Sequence, residues 1–399
     1  MSIAQSLDRR TFLRLSAGAV VLPAFLAGCP SEPLPPEGPS CPTTEPDDGA
    51  IPFALDPATL REDIEAYPLP MQVGAMQVSS ILLWGYTTTD QRVELWIWRK
   101  DESNGRWLAL RRPVDFVEGY LRAEIEGLAG ATEYRYALVT TDSDGEAQAR
   151  SSIARFRTAD GPGCLRPITI AATACTHQRN RPFRALEIMA EAEPDLFVHL
   201  GDMTYNDSAH TQAEYRARWT SQLADPGFRA ILAQCGMYAT WDDHEITNDD
   251  GLYSLPEEER RVAIEAWFEH VAIPRIDEDR FWDSYRWGDS LEIFVLDSRG
   301  ERQPETRNTD AAVYLSRRQM DWFKGALSAS KAHFKIVLNS VPMSAWPTAM
   351  VVAEHDRWEG YKAQRDEVLD HILGEEIENV WFLSGDYHCG AVARLEREG

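Results

Sequence analysis

Leu196-Phe197-Val198-His199-Leu200-Gly201-Asp202-Met203-Thr204-Tyr205 sets a short apolar run directly against a polar turn. A run of this length bounded by turn residues reads as a buried strand. Four more runs share the character: Ile168 to Ala171, Leu291 to Leu296, Lys335 to Leu338 and Val380 to Leu383. Helical stretches lie between several of them, at Phe183 to Glu193, Glu257 to His270, Arg317 to Ala329 and Arg365 to Ile372. This alternation predicts an α/β fold of layered sheets flanked by helices. No internal repeat and no glycine-rich phosphate loop of the Walker type is present.

Upstream the pattern differs. From about Met71 to Thr158 the apolar segments are β-branched and aromatic, as at Ile81 to Trp84, Val93 to Trp98 and Tyr134 to Thr140. Asn104-Gly105 and Asp144-Gly145 mark turns between them. Short strands at this spacing predict a small all-β sandwich. Gly127-Leu128-Ala129-Gly130-Ala131-Thr132-Glu133-Tyr134-Arg135-Tyr136 resembles the stretch before a late strand of fibronectin type III-like domains. That resemblance implies a tyrosine that packs and hydrogen-bonds at a corner. A linker around Asp160-Gly161-Pro162-Gly163 separates the two regions.

The beginning of the chain reads as an export signal. Arg9-Arg10-Thr11-Phe12-Leu13-Arg14 precedes an apolar run from Leu15 to Ala27, and Leu26-Ala27-Gly28-Cys29 resembles a lipobox. The paired arginines resemble a twin-arginine signal. The apolar run is short and broken by Pro23, which argues against a stable membrane span. The predicted division is a signal at 1–29, a disordered Pro-rich tether at 30–50, an all-β domain at 51–160 and an α/β domain at 161–399. A periplasmic or cell-surface protein, held to a membrane by lipid on Cys29, is the expectation.

The chain of 399 residues is 44% apolar and 26% charged, enough to bury two cores. Its formal charge of -24, from 64 acidic and 40 basic residues, repels polyanions and argues against a nucleic-acid partner. A small phosphate ester is not excluded, because a metal site supplies its own positive field. Six cysteines are too few for a disulfide scaffold at this length. Cys389 is either buried and inert or paired with Cys235 or Cys164.

Ligand-capable residues follow the strands. Cys175-Thr176-His177 follows the first run, and Gly201-Asp202-Met203-Thr204-Tyr205 the second. Trp241-Asp242-Asp243-His244-Glu245 lies later, and Ser384-Gly385-Asp386-Tyr387-His388 closes the last. In α/β folds, loops at the carboxyl ends of strands converge on ligands. Each residue alone has a plainer reading: a core cysteine, a Gly-Asp turn, a helix-capping aspartate. Together, thiolate, carboxylate, phenolate and imidazole suit a metal cluster in which Asp202 bridges two cations. In an extended segment Asp386 and His388 would point the same way and grip one ion.

These motifs, with Ala174-Cys175, Leu338-Asn339-Ser340-Val341-Pro342-Met343 and Asp356-Arg357-Trp358-Glu359-Gly360-Tyr361 followed by Arg365, resemble the PhoD-like alkaline phosphatase/phosphodiesterase family. That family lies within the calcineurin-like metallophosphoesterases, and the likeness runs over about residues 70–390. It implies a metallophosphoesterase β-sandwich flanked by helices, behind a fibronectin type III-like domain. It implies Cys175, Tyr205 and His388 on a ferric ion, Asp202 bridging to a second metal, most simply calcium, and Asp243 on that second metal. Asp386 would complete the cluster, Asp242 would stand behind it, and His244 would face the phosphate and steady the leaving oxygen. Zn, Mn or Mg remain alternatives for the metals. The sequence ends eleven residues after His388, where many relatives continue with further strands, which would trim the sheet edge or open the cleft.

The expected reaction is hydrolysis of phosphate monoesters or diesters by water activated at the cations, carried out by a monomer. Arg179, Arg181 and Arg184 are candidates for holding the phosphate through forked hydrogen bonds. The middle region offers His333 and His355 as weaker second-metal candidates. The competing readings are a catalytically silent secreted metal- or phosphate-binding protein, and a phospholipase-type diesterase of the same fold.

Overall fold

The computed structural model describes Cys41 and residues 51–52, 55–100, 106–248, 255–277, 280–344 and 356–396. The signal, nearly all of the tether, His355 and the Asn104-Gly105 turn lie outside the described residues.

The first half is a β-sandwich. Its strands are Ile51–Pro52 (β1), Arg61–Glu62 (β2), Gln72–Gly74 (β3), Ser80–Tyr86 (β4), Val93–Lys100 (β5), Arg106–Pro113 (β6), Tyr120–Glu126 (β7), Glu133–Thr141 (β8), Ala147–Arg150 (β9) and Ala154–Arg157 (β10). One sheet runs β3-β4-β7 and the other β1-β6-β5-β8-β9-β2, with β10 also on β8. The period of two in β8 does the sorting: Tyr134, Tyr136 and Leu138 enter the main core, while Ala137 and Val139 pack with Trp96 and Trp98 on the opposite face. The Tyr134 hydroxyl accepts the Ala129 N–H at 2.8 Å, which is the corner expected from Gly127 to Tyr136.

The second half is layered. Ile170–Thr173 (β11), Leu196–His199 (β12) and Gly236–Ala239 (β13) form a parallel three-stranded sheet. Asp283–Trp287 (β14), Leu291–Val295 (β15), Phe334–Leu338 (β16) and Val380–Leu383 (β17) form the other, parallel except for β14. Ile293 and Val295 share one core with Leu196 and Val198, so the sheets face each other. The helices cover the outer faces. Arg184–Glu191 (α1) and Pro226–Gln234 (α3) bury Leu186, Phe228 and Ile231 in the first core. Arg317–Ala329 (α5) and Lys362–Gly374 (α6) bury Met320, Phe323, Val368 and Leu369 against Phe294 and Val337. Gln212–Leu223 (α2) and Glu257–His270 (α4) complete the set.

Several elements differ from the sequence expectation. Strand β11 begins at Ile170 rather than Ile168, and α6 begins at Lys362 rather than Arg365. Helix α2 went unread because it is polar on most of its surface, burying only Tyr215, Trp219, Gln222 and Leu223. Its start did carry a signal, since Thr211 and Glu214 form a capping box. Strand β14 returns antiparallel through a turn in which Gly288 has φ +57°.

The sandwich is docked on the α/β half by buried polar contacts. Gln72 Nε2 donates to the His270 carbonyl at 2.8 Å, and Trp84 Nε1 donates to the Glu269 carbonyl at 2.6 Å. Arg122 donates to the Phe268 and Val271 carbonyls, and Tyr238 donates to the Met76 carbonyl at 2.8 Å. The cysteine expectation is corrected: Cys164 is bonded to Cys41. Cys235 is buried and free, and Cys389 is exposed and free. Among the described residues, no helix is long and apolar enough to cross a membrane.

Candidate metal centre

Four chain turns meet beyond the ends of β11, β12, β13 and β17. Cys175 (φ +56°), Asp202 (φ +58°), Asp386 (φ +64°) and His388 (φ +51°) all sit in the left-handed region. Non-glycine residues rarely adopt it, and such conformations concentrate where a site demands a fixed side-chain direction. Two glycines let the turns approach. A Cβ on Gly201, itself at φ +101°, would meet the Asp242 Cβ at 2.5 Å, and one on Gly385 would meet the Ala174 Cβ at 2.6 Å.

The side chains fall into three groups, in each of which the ligand atoms lie within 4.8 Å of one another: Cys175, Asp202 and His388; Asp202, Asp243 and His244; Asp242, Asp243 and Asp386. Asp202 belongs to the first two. The Tyr205 hydroxyl, 3.2 Å from Asp202 Oδ2 and 3.3 Å from His388 Nε2, closes the first. Asp386 and His388 fall in different groups, and the backbone that carries them is not extended. The segment after β17 is bent, with both residues at positive φ, so the two side chains diverge into different groups.

Supporting residues hold these positions. Glu245 is fully buried, and its carboxylate accepts the backbone N–H groups of Asp202, Met203 and Asp242. Arg299 Nε donates to Asp242 Oδ1 at 2.5 Å, and its Nη1 donates to both oxygens of Asp356 at 2.7 Å. Arg302 donates to Asp356 Oδ1 at 2.5 Å. His244 pairs with Asp207 through Nδ1 at 2.5 Å and lies over the Tyr205 ring, centroids 4.0 Å apart. His177 packs against Tyr205 as well, at 4.3 Å, and its Nδ1 accepts the Arg179 N–H at 3.0 Å.

The electrostatics ask for cations. Burial pushes Asp202 well above the carboxylate range, and Asp242 and Asp243 push it further. Burial likewise raises Asp242 and Asp386, with Arg299 pulling both back. Cys175 and Tyr205 are raised by burial and then by the Asp202 charge. Glu245 is raised to about 7 by burial, against the pull of its three backbone donors. Asp242 Oδ2 is buried with no hydrogen-bond partner. A crowd of buried acids that cannot all ionise alone, with one oxygen left orphaned, fits a site completed by metal. Burial would lower His244, yet Asp207 and Asp243 outweigh it and hold the imidazole above its usual value. His177 is lowered, by burial and then by Arg179.

The cluster therefore brings together Cys175, Asp202, Tyr205, Asp243, His244, Asp386 and His388, with Asp242 among them. The three arginines fare differently. Arg181 is engaged with Ser221 and Gln222, Arg184 is paired with Glu187, and Arg179 remains exposed on the turn beside His177. His333 stands next to β16 with its ring against Phe334, remote in sequence from the strand-end turns. Sequence reasoning missed His177, Asp207, Glu245, Arg299 and Arg302. Only His177 and Glu245 carried a signal, by standing within motifs already singled out.

Comparison with known proteins places this geometry in a wider setting. The family model described as PhoD-like phosphatase matches residues 170–398. Alkaline phosphatase D of Bacillus subtilis (strain 168) is 26% identical over 323 residues, covering 69% of this chain and 54% of that protein. The chain thus spans about half the length of that relative. Among solved structures, one titled "Structure of PhoD" superposes with a TM-score of 0.69 at 22% identity, covering 81% of this chain and 72% of that one. The purple acid phosphatase PPD1 of yellow lupin (Lupinus luteus) superposes with a TM-score of 0.56 at 13% identity, covering 79% and 58%. At these identities the structural likenesses speak to the fold.

Proposed function

The chain belongs to the PhoD-like phosphatase family, and from that premise we propose that it hydrolyses phosphate esters at a pair of cations sharing Asp202. The observation that carries this reading is that Asp202 lies within ligand reach of Cys175 and His388 on one side and of Asp243, with His244 beside it, on the other. Bound cations would polarise the phosphoryl oxygens and make water acidic enough to attack near neutral pH.

Ligand chemistry supports a different metal in each of the two pockets. The thiol of Cys175, the phenol of Tyr205 and the imidazole of His388 suit a ferric ion, and the carboxylates around Asp243 suit calcium. The proximity of Asp386 to Asp242 and Asp243 supports a place for it on that carboxylate side.

The remaining chemistry belongs to the side chains. His244 has its Nδ1 committed to Asp207, which leaves Nε2 as the edge facing a leaving oxygen. With its proton affinity raised by Asp207, the imidazolium form would pass the Nε2 proton to the departing alkoxide. Arg179 is the arginine left to steer the phosphate, since Arg181 and Arg184 are engaged within the chain. The test is turnover of phosphomonoesters and phosphodiesters by the metal-loaded protein and by Asp202→Asn. A folded Asp202→Asn that keeps wild-type turnover would remove the shared carboxylate from the mechanism. A wild type that hydrolyses neither ester class would favour a silent binding protein.

Export follows the same logic. The Arg9-Arg10 signal and Cys29 suit translocation of a folded metalloprotein and its lipid anchoring on a cell-surface or periplasmic membrane. Cys29→Ala should move the protein from the membrane to the soluble fraction.

A further inference from the structure

The cation pocket between Cys175 and Asp202 is assembled from two separate turns, one after β11 and one after β12. Their backbones touch twice: the Cys175 N–H donates to the Gly201 carbonyl at 3.1 Å, and the Thr176 N–H to the Asp202 carbonyl at 2.9 Å. A third element joins them. Gln222 of α2 is fully buried, and its Nε2 donates to the Thr176 carbonyl and to the Met203 carbonyl, both at 2.6 Å. Each of those carbonyls lies one residue from a member of the metal cluster, Thr176 beside Cys175 and Met203 beside Asp202.

The amide has one further polar atom, and that too is used. Gln222 Oε1 accepts from the Arg181 guanidinium, whose Nη1 donates to Ser221 Oγ at 2.8 Å. Both donors and the acceptor of Gln222 are thus satisfied, which fixes the orientation of the amide. Reversing it would point the oxygen at two carbonyl oxygens and the NH2 group at a cation. Arg181, a candidate phosphate ligand by sequence, instead locks the residue that spans the two turns.

We propose that Arg181 and Gln222 form a positioning pair that sets the gap between the Cys175 and Asp202 turns and so the fit of the cation held between them. The inference rests on the metal-dependent reading of the site. Neither residue is among the ligand-capable groups of the cluster; each acts through the backbone that carries them. Loss of hydrogen-bonding partners outside the ligand shell typically lowers metal affinity about 10-fold to 100-fold.

The test loads the wild type, Arg181→Met, Gln222→Met and the double variant with iron and calcium. Metal loss to a chelator is timed beside thermal unfolding of each apoprotein and amide hydrogen exchange at Cys175 and Thr176. Gln222→Met is expected to lose metal roughly 10-fold to 100-fold faster. Arg181→Met should show a smaller increase, and the double variant should be no faster than Gln222→Met alone, because Arg181 acts through Gln222. The Cys175 and Thr176 amides should exchange faster in both single variants. A folded Gln222→Met with wild-type metal retention, or effects of the two substitutions that add, overturns the pair. If Gln222→Met does not fold, Arg181→Met decides: faster loss from a stably folded apoprotein supports the proposal, and unchanged loss and exchange overturn it. A wild type that takes up no metal overturns the reading of the site instead, and the exchange rates alone then decide whether the pair sets the turns.

Discussion

One carboxylate oxygen of Glu245, Oε2, accepts the backbone N–H of Asp202 at 2.9 Å and that of Asp242 at 2.8 Å. The residue that follows His244 in sequence thereby ties the turn after β12 to the turn after β13, and with them two of the acids in the cluster. Replacing it with the isosteric amide leaves one N–H facing an NH2 group. Glu245→Gln is expected to lower stability by about 2 kcal/mol, the usual cost of an unmet buried donor. Denaturant midpoints of the apoprotein check this, and an unchanged midpoint would show that the Met203 N–H, the donor to the other oxygen, is satisfied without the carboxylate.

The Asp207–His244 pair predicts a pH effect. Burial by itself lowers His244, and the hydrogen bond it donates to Asp207 is the largest of the influences that reverse it. Without that carboxylate the imidazolium gives up its proton at lower pH. Because His244 is proposed to act in its protonated form, the alkaline limb of kcat against pH in Asp207→Asn should move to lower pH. A limb that stays in place with reduced height would assign Asp207 a role in orientation alone.

Removing the cations should make stability fall with rising pH. Asp202, Asp242, Asp386 and Glu245 are all raised by burial in the folded protein, so the metal-free folded state binds more protons than the unfolded chain. Stability contributed this way is complete below the unfolded values and is lost as pH climbs through the folded ones. For Glu245 the window runs from the ordinary glutamate value of 4.5 to about 7. The melting temperature of chelator-treated protein should therefore drop across that range, and reloading with metal should flatten the slope. A metal-free protein that gains stability over the same interval contradicts the crowding of acids.

Gly201→Ala tests the close approach of two turns. The new Cβ would sit 2.5 Å from the Asp242 Cβ on a backbone at φ +101°. A loss of about 1–3 kcal/mol is expected from the overlap, together with reduced metal content because Asp202 is the next residue. Thermal unfolding and elemental analysis measure the two effects, and full metal occupancy in a folded variant would show that the turn can give way.

Much of this site was legible because strand-end chemistry is local: Cys175, Asp202 and Asp243 each follow a short apolar strand or run by a few residues. What was not legible depends on tertiary closure. Asp207 meets His244 across 37 positions, and Arg299 meets Asp242 across 57, with no local pattern to announce either contact. The side-chain period of two failed at Asp386 and His388 because it holds only for extended backbone, and both residues are left-handed. The engagement of Arg181 was not legible because a long flexible side chain near a site has several places to go, and here helix α2, itself too polar to stand out, supplies the partner.

A crystal structure of the metal-loaded protein, with anomalous scattering measured for each ion, probes the shared carboxylate most directly. Two ions about 3.5–4 Å apart are predicted, both bonded to Asp202, one also to Cys175, Tyr205 and His388 and the other to Asp243. Ions separated without Asp202 between them, or a single ion bound away from Cys175 and His388, would contradict it.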